Sequence, residues 1–350
     1  LAAAAVLILC GAFCGAAAAD EMPIPVNGGK LWSGTYKLTA NVDLAGKDNL
    51  YVPNGITCTI DLNGYVLKGN GAGPVITVQS GGKLTVTDST PSAVHKFSGS
   101  LPGKLTWDST ETTGSVEIEG GCITGGKGYD GGGGMYVSYG GRFTMEGGNI
   151  VGHSLNNGGG VYTLGTFIMN GGRIIGNYAR FDGGGVYVWA GDTFNMYGGT
   201  ISENSASHGG GVYVECYGEL KMTSGEITEN SAASGGGGVF VNTMINGGYL
   251  IEGYITLSGG TPVIKNNTNG SGTDDVSLRN GLLELTGVLT ADADVRITNP
   301  STAGGVFGTA SGSAGGAEHI TSDTLKDASG NPVGAIIIGT SLMWDDTETG

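Results

Sequence analysis

A glycine triplet followed by an apolar and then an aromatic residue recurs five times in the middle of the chain. The triplets begin at Gly132, Gly158, Gly183, Gly209 and Gly236, and the aromatic residues that follow them lie 26, 25, 26 and 27 positions apart. A fixed period of this size is typical of repeat proteins, in which each unit packs against its neighbours. The chain is therefore expected to fold as a stack of similar units.

Each repeat contains two further short apolar segments. The second segments are 142–145, 166–169, 193–196 and 219–222, and the third contain Ile150, Ile174, Ile201 and Ile227. Three such strands cannot bury their own apolar face, but stacked units can pair each strand with its counterparts about 4.8 Å above and below. The repeat predicts an all-β parallel β-helix (β-solenoid) with about 26 residues and three short strands per coil.

Composition agrees with this fold class and excludes others. Glycine makes up 71 of 350 residues, which argues against a helical protein because glycine costs about 1 kcal/mol per helical position. Lys+Arg is 16 and Asp+Glu is 31, for a net charge of −15. This balance argues against nucleic acid as a partner, because such affinity comes mainly from cations that neutralise phosphates.

Side-chain alternation along the first strand assigns its two faces. Val186 and Val188 and their equivalents are expected to point into the coil, and the aromatic residues between them to point outward as a solvent-exposed, stacked ladder. We interpret this ladder, with the neighbouring Trp189, as a candidate ligand-binding surface. Its residues are Tyr136, Tyr162, Tyr187, Tyr213, Phe240 and Trp189.

A second ladder is expected at the corner after the third strand. Asn177, Asn204 and Asn230 each follow the third-strand isoleucine by three positions, and His153 occupies the same register. We interpret these residues as structural, with each amide bonding to the next coil.

The first residues differ from the rest. Residues 1–19 carry no charge and end in small residues, which is typical of a secretory signal peptide. Because the sequence lacks an initial Met and a basic segment, we expect it to be truncated at its start. No transmembrane segment is expected in the mature chain, which is predicted to be secreted or at a cell surface.

The remaining chain is interpreted as one domain. Residues 20–30 lead to a cap and residues 31–345 form the β-helix, with 346–350 as a tail. Within the domain, 31–115 hold the first coils and a loop excursion (89–115), 116–270 the regular repeats, and 271–345 the closing coils. An insertion is expected near 243–256, a loop over 302–316 and a last strand over 335–338.

The phrases 60–70 and 74–88, the Gly-Gly-Gly-Val-Tyr-Val repeats and the stretch 275–290 resemble adhesin-like surface proteins of gut bacteria. The resemblance covers about residues 36–345. It implies a right-handed parallel β-helix of the pectin-lyase-like fold, a fold that hosts binding proteins and polysaccharide-cleaving enzymes alike.

Two functions remain open. The first is a non-catalytic scaffold that contacts glycans or host-surface macromolecules without a cofactor. The second is a polysaccharide lyase or glycoside hydrolase acting on an acidic polysaccharide, for which paired acids are required; Asp274 and Asp275 are the only adjacent Asp pair before the terminal one. No catalytic residue is assigned.

A single calcium-like motif spans 125–130 and ends at Asp130. Such motifs work in tandem arrays, so chance is the preferred explanation of one copy, and calcium stays open as an alternative to the absence of a cofactor.

Overall fold

The computed structural model describes residues 21–101, 105–111, 114–128, 131–247, 249–279, 282–298, 306–310, 314–326, 332–338 and 341–344. The predicted signal peptide and tail lie outside these residues. The described chain is nearly all β, and its one helical element is the 3-10 turn Ala317–His319. Twenty-nine of the described strands join a single, largely parallel sheet, which is compatible with a β-solenoid.

Strands of the large sheet stack into three ladders, in which each strand pairs in parallel with its equivalent one repeat later. The first ladder carries the Val-Tyr-Val segments, and identical residue types meet along it: Tyr162 pairs with Tyr187, and Tyr187 with Tyr213. Its strands are Gly29–Lys30, Leu50–Val52, Ile76–Val78, Met135–Val137, Val161–Thr163, Val186–Val188, Val212–Val214, Val239–Val241 and Val276–Leu278.

The second and third ladders follow the same rule. Second-ladder strands are Gly34–Lys37, Thr57–Asp61, Lys83–Thr87, Arg142–Met145, Thr166–Met169, Thr193–Met196, Glu219–Thr228, Tyr254–Lys265, Leu282–Leu285 and Val306–Ala310. Third-ladder strands are Val42–Asp43, Val66–Lys68, Cys122–Thr124, Asn149–Val151, Arg173–Ile175, Thr200–Ser202, Asp294–Thr298 and Ile320–Lys326. The long strands Glu219–Thr228 and Tyr254–Lys265 belong to both ladders, because their C-terminal halves continue the third.

Repeats in the middle of the chain contain a fourth strand that the sequence analysis missed. A separate sheet joins Ser154–Asn157, Tyr178–Asp182, Ser205–His208, Ser231–Gly235, Thr268–Asn269 and Gly272–Thr273. These segments are rich in Ser, Asn and Ala and lack the apolar alternation that identifies a strand. They pair because neighbouring repeats hold them in register, so three strands per repeat was an underestimate.

The core runs along the inside of the three ladders. Phe143, Phe167 and Phe194 stack face to face, with ring centroids 5.0 and 4.5 Å apart, and each is fully buried. The first-ladder valines and the second-ladder methionines are buried beside them. The inward faces predicted for the first and second strands are confirmed.

Two excursions leave the ladders. The predicted loop over 89–115 gives rise to an antiparallel sheet, here called the excursion sheet, made of Val94–Gly99, Leu105–Trp107 and Val116–Glu119. It packs on the third ladder through a small core of its own that contains Phe97, Trp107, Val151 and Ile175. The insertion predicted near 243–256 is the hairpin Thr243–Asn246 and Tyr249–Glu252.

The C-terminal part departs from the prediction of a long loop. Val306–Ala310, inside the expected loop over 302–316, pairs in parallel with Leu282–Leu285 and is therefore a strand. Glycine, alanine and serine flank it and obscure its short apolar pattern. Pro332–Ile338, which includes the predicted last strand, and Ser341–Trp344 add antiparallel partners at this end.

Some glycines are needed for close approach between repeats. A Cβ on Gly185 would lie 2.6 Å from the carbonyl oxygen of Gly211 and 2.9 Å from Ile201. Gly191 instead needs its left-handed backbone, with φ of 82°, and has open space around the Cβ position. The triplets are thus a packing requirement, whereas the turn glycines are a conformational one.

We expect Gly185→Ala to lower the free energy of unfolding by about 3 kcal/mol, because overpacking against backbone cannot relax. Gly191→Ala, the matched control, is expected to cost about 1 kcal/mol through its backbone conformation alone. Urea unfolding followed by circular dichroism measures both. Equal losses in the two variants would contradict the packing role of the triplet.

Candidate functional site

The predicted aromatic ladder exists as a continuous stack. Tyr136, Tyr162, Tyr187, Tyr213 and Phe240 lie in successive repeats, with ring centroids 5.7, 4.8, 5.0 and 5.5 Å apart. Neighbouring rings are nearly parallel, with interplanar angles of 5° to 15°. They form a small cluster separate from the main core, because they alternate with the inward-facing valines.

The expectation that this ladder is solvent-exposed is wrong. Tyr162, Tyr187, Tyr213 and Phe240 are only 4–9% exposed, and Tyr136, at one end of the stack, is partly buried. Each ring covers the faces of its neighbours, and glycine lets backbone pack beside the stack, as Gly235 does beside Phe240. The outward direction of these side chains on the strand therefore did not predict their exposure to solvent.

Glu215 is the polar centre of this cluster. Its Oε2 accepts a hydrogen bond from the Tyr187 hydroxyl at 2.9 Å. Its Oε1 accepts bonds from Asn242 Nδ2 at 2.6 Å and from the backbone N–H of Cys216 at 3.0 Å. Three donors fix this carboxylate, which the sequence places beside the ladder in the register of Trp189 but to which it assigns no role.

Burial raises the pKa values of several ionisable groups around the stack. The pKa values of Tyr187 and Tyr213 are raised well above their ordinary value, first by burial and then by the nearby Glu215 carboxylate. Burial also raises the pKa of Asp182. A 3.0 Å hydrogen bond between Asp182 and His208 acts in the opposite direction and lowers this pKa. The tyrosines therefore stay protonated and act as hydrogen-bond donors and apolar surfaces.

Exposed aromatic residues lie beside the ladder, in the turns between first-ladder and second-ladder strands. Tyr139, Trp189 and Tyr217, here called the aromatic ridge, are 79%, 41% and 60% exposed. The Trp189 ring lies 6.1 Å from both Tyr162 and Tyr187. Among the residues first proposed for binding, Trp189 is thus the one that is well exposed to solvent. Its ring packs against the buried stack.

If the stack is buried, truncating one rung should destabilise the protein. We expect Tyr213→Ala to lower the free energy of unfolding by about 3 kcal/mol, as for buried aromatic residues in general. The control Tyr139→Ala should change it by less than about 0.5 kcal/mol, because Tyr139 projects into solvent. Equal unfolding midpoints for Tyr213→Ala and the unsubstituted protein would contradict the burial.

Asparagines at the third-strand corner form a buried hydrogen-bonded ladder. Asn204 Oδ1 accepts bonds from both the backbone N–H and Nδ2 of Asn177, each at 2.9 Å. Asn230 receives the same pair from Asn204, and Asn267 from Asn230. Asp275 ends the ladder by accepting both donors of Asn267. The Asn267 rung was missed, although it also follows an isoleucine by three positions.

His153 begins this ladder as a neutral imidazole. Its Nδ1 accepts the backbone N–H of Gly126 at 3.0 Å, so Nε2 carries the proton and donates to the Ile123 carbonyl at 3.0 Å. Complete burial lowers the pKa of His153 to about 4. Its backbone N–H donates to Asn177 Oδ1, as expected for a corner residue.

This histidine should make the fold sensitive to acid. Unfolding restores an ordinary pKa of about 6.5, so the unfolded state binds the extra proton between about pH 6.5 and pH 4 and stability falls across that window. We expect His153→Asn, which supplies the amide of the other rungs, to reduce this loss. Urea midpoints at pH 7 and pH 4.5 for both proteins measure it. An identical pH dependence in both would contradict the neutral, buried assignment.

The acidic pair considered for catalysis is not accessible. Asp274 and Asp275 are 1% and 0% exposed. Asp274 Oδ2 accepts bonds from the backbone N–H of Gly236 and from Asn269 Nδ2, so this carboxylate, like that of Asp275, holds a corner. A polysaccharide chain cannot reach either residue in this structure.

The described part of the chain contains no group of three His, Cys, Asp or Glu side chains placed to hold a metal ion, and Asp130 lies outside it. None of the described helices is long and apolar enough to cross a membrane.

Comparison with known proteins adds no relative. No protein-family model, no curated protein and no solved structure matches the chain.

Proposed function

We propose that this chain is a secreted, adhesin-like cell-surface protein that contacts glycans or host surfaces without catalysis. In this proposal it is a right-handed parallel β-helix of the pectin-lyase-like kind, with coils of about 26 residues. Contact is made by the aromatic ridge rather than by the buried ladder. The observation that carries the proposal is the exposed Trp189 ring, supported from below by Tyr162 and Tyr187.

A flat ring held by packing suits a sugar ring as a partner. Aromatic side chains supply a large contact area with few rotatable bonds, so little conformational entropy is lost when they bind. Glu215, one repeat from Trp189 in the same register, has a fixed carboxylate that can accept hydroxyl hydrogen bonds. Asp192, in the same turn as Trp189, adds a second carboxylate, and burial raises its pKa to about 6.

Backbone strain at Tyr217 also supports the ridge. Tyr217 adopts a left-handed backbone with φ of 63°, at the turn position where Gly140 and Gly191 stand in other repeats. Such a conformation costs a tyrosine on the order of 1 kcal/mol. A strained residue that is 60% exposed does little for packing, which favours a role in contact.

Glycan-array binding with purified variants tests the proposal. We expect Trp189→Ala to lower the signal for the bound glycan at least tenfold, because one aromatic platform is lost. Trp32→Ala is the matched control, since Trp32 is 58% exposed and lies near the N-terminal end of the described chain. Tyr217→Gly should weaken binding while raising stability, because it relieves the strained backbone.

Three results would contradict the proposal. They are no glycan bound by the unsubstituted protein, equal binding by Trp189→Ala, and new reducing ends or unsaturated products released from an acidic polysaccharide. The last result would favour the lyase or hydrolase.

A further inference from the structure

A pocket separate from the aromatic ridge lies where the excursion sheet meets the third ladder. It is partly open to solvent and has a volume of about 140 Å³. Leu105 and Trp107 of the excursion sheet line one part of it, and the segments after Val66–Lys68 and Cys122–Thr124 line another. It exists because the chain inserts a folded sheet over this corner.

Glycine backbone lines much of the rest of the pocket. Gly69, Gly71, Gly125 and Gly152 are among its lining residues, and a Cβ on Gly152 would meet the carbonyl oxygen of Leu105 at 2.7 Å. The excursion sheet therefore sits directly on the corner.

The pocket is basic in an acidic protein. Lys68 and Lys127 are its charged lining residues, and no Asp or Glu lines it. Lys68 Nζ donates to Asp43 Oδ2 at 3.0 Å, which fixes its position and leaves two of its three N–H groups. Lys47 lies close to the same aspartate, with its Nζ 3.3 Å from the Asp43 backbone oxygen. The local balance is therefore positive, within a chain of net charge −15.

Apolar side chains lie beneath these cations, which distinguishes the pocket from a purely charged surface patch. Leu105 and Trp107 are 2% and 3% exposed, so only an edge of each side chain reaches the pocket. The Trp107 Nε1–H already donates a hydrogen bond to Glu111 Oε1 at 2.8 Å. The indole therefore contributes apolar carbon surface to the pocket and no free hydrogen-bond donor. Lys127 is exposed and has no ion-pair partner among the described residues.

We propose that this pocket binds a small organic anion, with its carboxylate held by Lys68 and Lys127 and its apolar body against Leu105 and Trp107. Charge-assisted bonds to a carboxylate are the strongest contacts that two lysines offer. A compact apolar body gains from removal of its surface from water. The site does not depend on the proposed glycan contact, because the two surfaces share no residue.

Three probes separate the parts of this proposal in calorimetric titrations of the full chain. Benzoate carries both a carboxylate and an apolar ring, benzamide is its neutral counterpart, and inorganic phosphate is an anion without an apolar body. We expect benzoate to bind more tightly than either of the others. Raising the salt concentration should weaken benzoate binding, because Lys127 is exposed to solvent and its charge is screened.

Two variants locate the site. Lys127→Gln is expected to reduce benzoate affinity roughly tenfold, the value of one charged hydrogen bond. Lys83→Gln, a substitution of an exposed lysine on the second ladder, should leave it unchanged, and thermal melting checks that both variants fold.

Equal benzoate affinity for Lys127→Gln and the unsubstituted protein would overturn the proposal. So would equal binding of benzamide, binding of phosphate in preference to benzoate, or no binding of benzoate at all. None of these outcomes bears on the Trp189 experiment.

Discussion

Parallel pairing of each strand with its equivalent one repeat away is the constraint on which the rest of this structure depends. Strands in such a sheet lie about 4.8 Å apart, so every side chain meets its own counterpart at that spacing. Phenylalanine therefore stacks on phenylalanine inside, tyrosine on tyrosine outside, and asparagine bonds to asparagine at the corner. Glycine is abundant because the triplets must allow the close approach of successive repeats and because many turns need a left-handed backbone.

The same constraint gives the tyrosine stack its role. At a centroid spacing near 5 Å, rings on adjacent repeats exclude water from each other, and the stack becomes a second core outside the strands. It positions the Trp189 ring and the Glu215 carboxylate. A feature that resembles a binding surface in sequence is thus a buried stack on which the exposed Trp189 ring packs.

Features that depend on the repeat could be predicted from the sequence. The inward valines, the inward Phe143 and Met145, the insertion near 243–256 and the first coils before the repeats follow from period and alternation. The exposure of the tyrosines could not be predicted, because it depends on how closely neighbouring repeats approach and on which backbone packs beside the rings. The fourth strand also escaped detection, since Ser, Asn and Ala pair there only because adjacent repeats hold them in register.

The candidate sites also combine residues that the sequence identifies with residues that only the fold brings together. Trp189 was identified from its place beside the ladder, whereas Glu215 gains its position from Tyr187 and Asn242 in neighbouring repeats and from the adjacent Cys216 N–H. The lysine pocket was missed because Lys68 and Lys127 lie 59 positions apart in sequence. They come together only because Val66–Lys68 and Cys122–Thr124 are paired strands and the excursion between them folds back over the corner.

Hydroxyl-radical footprinting of the native protein, read by mass spectrometry, tests the central claim most directly. We expect rapid oxidation of Tyr139, Tyr217 and Trp189 and strong protection of Tyr187 and Tyr213, with protection lost on unfolding. Oxidation of Tyr187 and Tyr213 at the rate of Tyr139 would contradict it, because the stack would then be a surface and not a support.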